Sequence, residues 1–140
     1  MSNQVVVVAD ADAIIAQSQQ DDANHKKAQE VSTRLVELNA RVIYATTTIA
    51  EAATHMQRVL NNTASAYGTA LEATTASMEV AEVNQQTLTT ALRYFSPTTS
   101  KKNTFFDCIV AAVAEEKQAD AIFSFDKFYT KKGFKLASEL

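Results

Sequence analysis

Four short stretches of this sequence place a carboxylate at the edge of an apolar run. Val5-Val6-Val7-Val8-Ala9 leads directly into Asp10 and, two places on, Asp12. Ala121-Ile122-Phe123-Ser124-Phe125 stops at Asp126, and the run from Arg41 to Ala45 is followed at short range by Glu51. Asp107 stands at the head of the apolar run Cys108 to Ala114. Apolar runs normally end on neutral turn residues, so acids repeated in this position ask for a common partner. Four carboxylates gathered in a partly dry site repel one another strongly, and a divalent cation with oxygen ligands removes that repulsion. Mg²⁺ or Mn²⁺ suits such a donor set, and nothing in the chain offers the Cys or His cluster of a zinc site. With basic residues nearby, the chemistry indicated is phosphodiester cleavage, in which a cation acidifies water and polarises a phosphoryl oxygen.

Each acid also has a plainer explanation. Thr48-Ile49-Ala50-Glu51 and Thr104-Phe105-Phe106-Asp107 both fit the capping box, in which the acid accepts from backbone N–H groups at a helix start. Asp12 and Asp126 fit helix N-caps. The case for a site rests on the set, because four acids at equivalent topological places are hard to explain as caps alone.

Those places require elements to hold them. Val5–Ala9 reads as a strand buried on both faces. Asp12 to about Gln19 reads as a short helix, and a longer one starts at Asp21-Asp22 with Ala28, Val31, Leu35 and Leu38 on one face. Arg41–Ala45 is a second strand, and Thr48 to about Leu60 and Ala64–Ser77 are helices rich in Ala, Thr and Ser. Helices of that composition bury little apolar area, so this pair is the surface most in need of another chain. Met78–Val83 is a third strand, Thr87–Phe95 a helix, 96–103 a loop, Thr104–Lys117 a helix, Ala121–Phe125 a fourth strand, and Asp126–Thr130 a last helical turn. Two glycines and one proline punctuate the chain, which favours helices over an all-β fold. Strands alternating with longer helices define the α/β class: a three-layer α/β/α arrangement around a parallel sheet of four to five strands. In such a sheet ligands bind beyond the carboxyl ends of the strands, where Asp10, Glu51 and Asp126 project together. Asp107 joins them if its helix begins at that edge.

At 140 residues the chain reads as one domain, 1–140, with 46% hydrophobic and 21% charged residues excluding a disordered chain. No apolar run approaches the roughly 20 residues of a membrane span. With no basic-then-apolar leader, the expected location is cytoplasmic. Cys108, the only cysteine, reads as a small core residue. The net charge of −3 is uneven: residues 1–92 hold 5 basic and 10 acidic side chains, residues 93–140 hold 8 and 6. Arg93, Lys101 and Lys102 form one basic group, and Lys127, Lys131, Lys132 and Lys135 another. They fit phosphate contacts to a polyanion, or equally a solvated lysine-rich end. His55 lies one helical turn after Glu51, within reach of a metal or a phosphate, although a histidine so placed is more often a half-exposed helix residue. His25, Tyr44, Phe95 and Phe128 read as structural.

Taken in order, these segments resemble the PIN-domain proteins, and in size the VapC-type toxins of toxin–antitoxin pairs. The stretch from Val5 to Asp12 resembles the family's opening strand and first acid, and Asp22 to Ala28 its second-helix entry. Ile49-Ala50-Glu51 matches the second acid, Phe106-Asp107 followed by Ile109 to Ala112 the third, and Ile122 to Phe128 the closing strand with its Ser124-Phe125-Asp126. The resemblance implies a ribonuclease with Asp10, Glu51, Asp107 and Asp126 around Mg²⁺ or Mn²⁺, Ser124 supporting by hydrogen bonding and Asp12 auxiliary. It further implies an RNA substrate, a homodimer and an antitoxin that masks the site. Two other readings stand beside it. One is a non-catalytic PIN-like module that binds RNA or protein. The other is a haloacid dehalogenase-like phosphatase using Asp10, although Ala13-Ile14 stands where that family usually carries Gly-Thr.

Overall fold

The computed structural model describes residues 3–140. Four strands form one parallel sheet: β1 (Val6–Ala9), β2 (Arg41–Ala45), β3 (Glu79–Ala81) and β4 (Ala121–Phe123), in the order β3-β2-β1-β4. Leu136 bridges Ile122 in parallel sense beyond β4, a single-residue extension of the sheet. Helices α1 (Ala11–Ser18), α2 (His25–Glu37), α3 (Thr46–Arg58), α4 (Thr63–Glu72), α5 (Gln85–Ala91), α6 (Phe105–Glu116) and α7 (Phe128–Lys131) surround it, with a 3₁₀ turn at Ala137–Glu139.

The central strand explains the layering. Successive side chains of a strand point to opposite faces, so a strand buried on both needs an unbroken apolar run. Val7 and Ala9 pack with Ala13, Ala16, Ala28, Val31 and Leu35 of α1 and α2. Val8, between them, packs with Cys108 to Ala114 of α6. Helix α6 is itself covered by α5, so every residue from Asp107 to Ala114 is buried, and a helix apolar all round is the form such a position requires. Cys108 is in this layer, fully buried, and burial pushes its thiol up to about 11.

Helices α3 and α4 pack against each other and against α1 through Ile14, Ile15, Ile49, Ala52, Met56 and Ala66. Their outer surface leaves Val59, Tyr67 and Leu71 more than half exposed. With few glycines available, Asn39, Asn61 and Gln118 adopt the left-handed conformation just after α2, α3 and α6. At the ends of α2 and α6 the chain closes with Ala40 N–H to Leu35 O and Ala119 N–H to Ala114 O, both 2.9 Å. Among the described residues no helix is long and apolar enough to cross a membrane.

Several boundaries differ from those expected. Helix α2 begins at His25, because Asp22 is spent on a turn, accepting from Asn24 N–H at 2.8 Å. The His25 ring then packs back on α1, Nδ1 lying 2.6 Å from Ala16 O. Helix α3 begins at Thr46, directly off β2 with Ala45 as its cap, so Thr48 is already inside it and no capping box forms with Glu51. Helix α4 ends at Glu72; Thr74 and Thr75 turn their hydroxyls back onto Leu71 O and Glu72 O at 2.7 Å, competing with further helix. Asn84 caps α5, which therefore starts two residues early and ends at Ala91. Strand β3 is shorter than expected, with Glu79 paired to Arg41 of β2. Strand β4 stops at Phe123, because Ser124 Oγ and Phe125 N–H are both taken by Asp12.

Candidate functional site

Asp10 is the first residue past β1 and caps α1. Its Oδ1 accepts from Ala11 N–H at 2.7 Å, and its Oδ2 accepts from the Tyr129 hydroxyl at 2.6 Å. The side chain is buried. Asp12, in the first turn of α1, accepts at Oδ2 from both Ser124 Oγ–H and Phe125 N–H, each at 2.8 Å, and so stitches α1 to the end of β4. Asp12 is thus not the helix cap; Asp10 is.

Glu51 lies in the second turn of α3, half-buried, carried to the sheet edge by the direct passage from β2 into helix. Asp107 lies in the first turn of α6 and accepts from Thr104 N–H at 3.0 Å. It therefore serves as a cap while facing the other acids. Asp126 follows β4 by three residues; Oδ1 accepts from Phe128 N–H at 2.9 Å and Oδ2 from Asn103 Nδ2 at 2.8 Å. Asn103 also lies 3.5 Å from Asp107 Oδ2, between the two acids. Ser124 Oγ links the set, donating to Asp12 and accepting from Asp126 N–H at 3.1 Å.

These five acids, together with Asp22, line one cleft of about 310 Å³ at the carboxyl edge of the sheet. Lys102, Thr104 and His55 share its walls. The electrostatics record the crowding. Asp10 is held well above the usual carboxylate range, first by burial and then by Asp12 and Asp107, with the Tyr129 hydroxyl opposing the shift. Burial likewise raises Asp12, against the donors Phe125 N–H and Ser124. Glu51 is pushed up to about 7 by burial and by Asp107 and Asp12. Asp107 is pushed up to about 6, mainly by burial, partly offset by Thr104 N–H.

This donor set has the chemistry of a site for a hard divalent cation. Two of its oxygens, Asp12 Oδ1 and Glu51 Oε1, are buried without a hydrogen-bond partner among the described residues. A buried acceptor left without a donor is costly, and coordination to a cation is one way such an oxygen is satisfied. Among the described residues, however, no three His, Cys, Asp or Glu side chains are already arranged to hold one ion. Asp10 is held by protein donors on both oxygens and Asp12, Asp107 and Asp126 on at least one each, so closing on an ion calls for adjustment of the acids around Asp10. In donor type and in the orphaned oxygens the residues fit Mg²⁺ or Mn²⁺.

The basic candidates separate. Lys102 lines the cleft. Lys101 beside it is exposed and does not. Arg93 is paired with Glu115, which is also held by the Tyr94 hydroxyl. Glu115 lies eight residues beyond Asp107 on α6, roughly 12 Å along the axis, so Arg93 is turned away from the acids. Lys132 sits 5.5 Å over the Phe128 ring, and Lys127 and Lys131 are exposed outside the cleft wall.

Asn103 and Tyr129 are side chains at the acids that sequence reasoning passes over, as are Asp22 and Asn24 on the cleft wall. Asn103 lies in a loop without periodicity. Tyr129 follows Asp126 by three residues, nearly one helical turn, and that spacing is the signal that could have found it.

The PIN domain family model matches residues 7–135. The chain belongs to the PIN domain family. Among solved structures it is similar to Mycobacterium tuberculosis VapC20, a toxin that cleaves the sarcin–ricin loop. The TM-score is 0.77 over 91% of this chain and 95% of that one, at 19% identity, a likeness of fold. No curated protein matches the sequence.

Proposed function

We propose that this protein is a divalent-cation-dependent endoribonuclease of the VapC type, the toxin of a toxin–antitoxin pair. In this reading it acts in the cytoplasm as a homodimer whose antitoxin covers the cleft. The observation that carries the activity is the convergence of Asp10, Asp12, Glu51, Asp107 and Asp126 on one cleft, with two buried carboxylate oxygens lacking partners.

Asp10, Glu51, Asp107 and Asp126 would hold Mg²⁺ or Mn²⁺, with Asp12 auxiliary. The bound cation supplies Lewis-acid chemistry, acidifying the attacking water and polarising the scissile phosphoryl oxygen. The remaining work belongs to the chain. Lys102 and His55, on the cleft walls, contact the RNA backbone beside the acids. Ser124 keeps Asp12 and the Asp126 backbone in register. Asp10, Asp12, Glu51 and Asp107, raised by burial and by neighbouring carboxylates, carry less charge than free carboxylates would, which limits their repulsion of the polyanionic substrate.

A non-catalytic PIN-type binding module is the second reading. It is favoured by the absence of a ready three-ligand arrangement among the described residues. Family membership sets the haloacid dehalogenase-like reading aside.

The test is cleavage of RNA, including a sarcin–ricin loop oligonucleotide, with Mg²⁺ or Mn²⁺. Wild type is compared with Asp10→Asn and Asp107→Asn. The expected result is cation-dependent cleavage lost by at least 100-fold in both variants, with circular dichroism unchanged. No cleavage of any RNA, and no rise in melting temperature with either cation, would support the binding module.

A further inference from the structure

We propose that Tyr129 is a positioning residue for Asp10, its buried hydroxyl fixing the orientation in which that carboxylate meets a divalent cation. The inference rests on the metal-dependent reading above and assigns a role that the four-acid pattern does not contain.

Tyr129 is completely buried and is the largest side chain so enclosed. Its ring packs against Phe128 at 5.3 Å in an edge-on arrangement and belongs to the cluster formed by α6 and β4. Phenylalanine would fill that volume equally well. A hydroxyl taken into a core costs free energy unless it is bonded. Among the described residues the hydroxyl of Tyr129 makes one hydrogen bond, at 2.6 Å to Asp10 Oδ2.

The placement gives that bond consequences beyond satisfying the hydroxyl. An aspartate side chain has two torsions and swings readily unless both oxygens are held. Ala11 N–H holds Oδ1 and Tyr129 holds Oδ2, so the carboxylate plane is fixed from two sides. Oδ2 retains a further lone pair, because a carboxylate oxygen accepts more than one partner. Ser124 Oγ is nearest after Tyr129 but stands at 3.5 Å, too far to orient Oδ2 by itself.

Tyr129 is in turn located by the acid at the opposite end of the sequence. Asp126 Oδ1 accepts from Phe128 N–H and so starts the turn that carries Tyr129. The hydroxyl therefore couples the rotamer of Asp10 to the seating of Asp126, 116 residues later in the chain. Partners that orient metal-binding carboxylates in this manner commonly change metal affinity by 10- to 100-fold when removed.

The experiment is Mn²⁺ binding to the full chain, measured by electron paramagnetic resonance of free Mn²⁺ and by calorimetry. Wild type is compared with Tyr129→Phe, Tyr129→Leu and Asp10→Asn. Tyr129→Phe keeps the ring and should weaken Mn²⁺ on the order of 10-fold while remaining folded. Tyr129→Leu should lose thermal stability as well, separating packing from orientation. A Mn²⁺ affinity in Tyr129→Phe within twofold of wild type, with Asp10→Asn weakened, would overturn the inference and leave the metal reading intact. Wild type that binds no Mn²⁺ would overturn both. If Tyr129→Phe does not fold, the hydroxyl proton of Tyr129 in the wild type carries the test. Shielded from exchange, its resonance should be visible and should move on titration with Mg²⁺; a resonance that stays put overturns the proposal.

Discussion

Glu51→Gln offers a prediction in which loss of a functional group stabilises the fold. The Glu51 carboxyl is half-buried, has an oxygen hidden from solvent without a partner, and faces Asp107 and Asp12. Its pKa rises from the ordinary 4.5 to about 7. A carboxyl raised on folding holds its proton more tightly in the folded state. Stability is therefore complete below the unfolded value, declines as pH rises from 4.5 to about 7, and stays reduced above it. At about 1.4 kcal/mol per unit the whole shift would be worth about 3 kcal/mol. Glu51 is open enough to water for screening to remove about half, leaving about 1–2 kcal/mol. A glutamine carries no charge at any pH. In EDTA at pH 8, Glu51→Gln should therefore melt about 3–8 °C above wild type. At pH 4.5 the two should melt nearly together. Adding Mg²⁺ at pH 8 should raise the wild type and move the variant much less. Calorimetric or circular dichroism melts from pH 4.5 to 8.5 provide the assay. A variant no more stable than wild type at pH 8, or a difference that does not change with pH, would refute the argument that crowded burial of charge governs this site.

The same geometry sets other expectations. Lys102→Ala should raise KM for RNA several-fold with kcat little changed, and lower the slope of log affinity against log salt by about 1; Arg93→Ala, with its guanidinium committed to Glu115, should leave both unchanged. Ser124→Ala removes a buried hydroxyl shared by Asp12 and the Asp126 backbone. It should cost about 1–2 kcal/mol in denaturant unfolding, and Ser124→Thr should restore most of it if the extra methyl is accommodated.

Features encoded in local pattern were legible in the sequence. The bounds of β2 coincide with the expected Arg41–Ala45, and the apolar runs around Val7, Cys108 and Ile122 lie buried as such runs must. The α/β alternation and the PIN resemblance hold. The acids were visible because they interrupt apolar runs, and four of them share a cleft with Asp12, although which of the five would hold a cation depends on rotamers that no spacing encodes. Positions decided by tertiary partners were not legible. Phe125 has the composition of a strand, yet its N–H is drawn off to Asp12, more than a hundred residues away. Arg93 has the charge to meet phosphate, yet Glu115 reaches it first. Thr48 to Glu51 has the letters of a capping box, but the helix had already begun two residues earlier on leaving the sheet.

The strand order carries a consequence for the timing of synthesis. Strand β1 is made first and lies between β2 and β4, and β4 is made in the last fifth of the chain. Until Ala121 to Tyr129 have been translated, one edge of β1 has no strand to pair with, and Asp10 and Asp12 lack the hydroxyl and amide donors that orient them. Pairings so distant in sequence form late. A growing or prematurely terminated chain thus carries Asp10, Asp12 and Glu51 without the strand and the donors that set the geometry of the cleft.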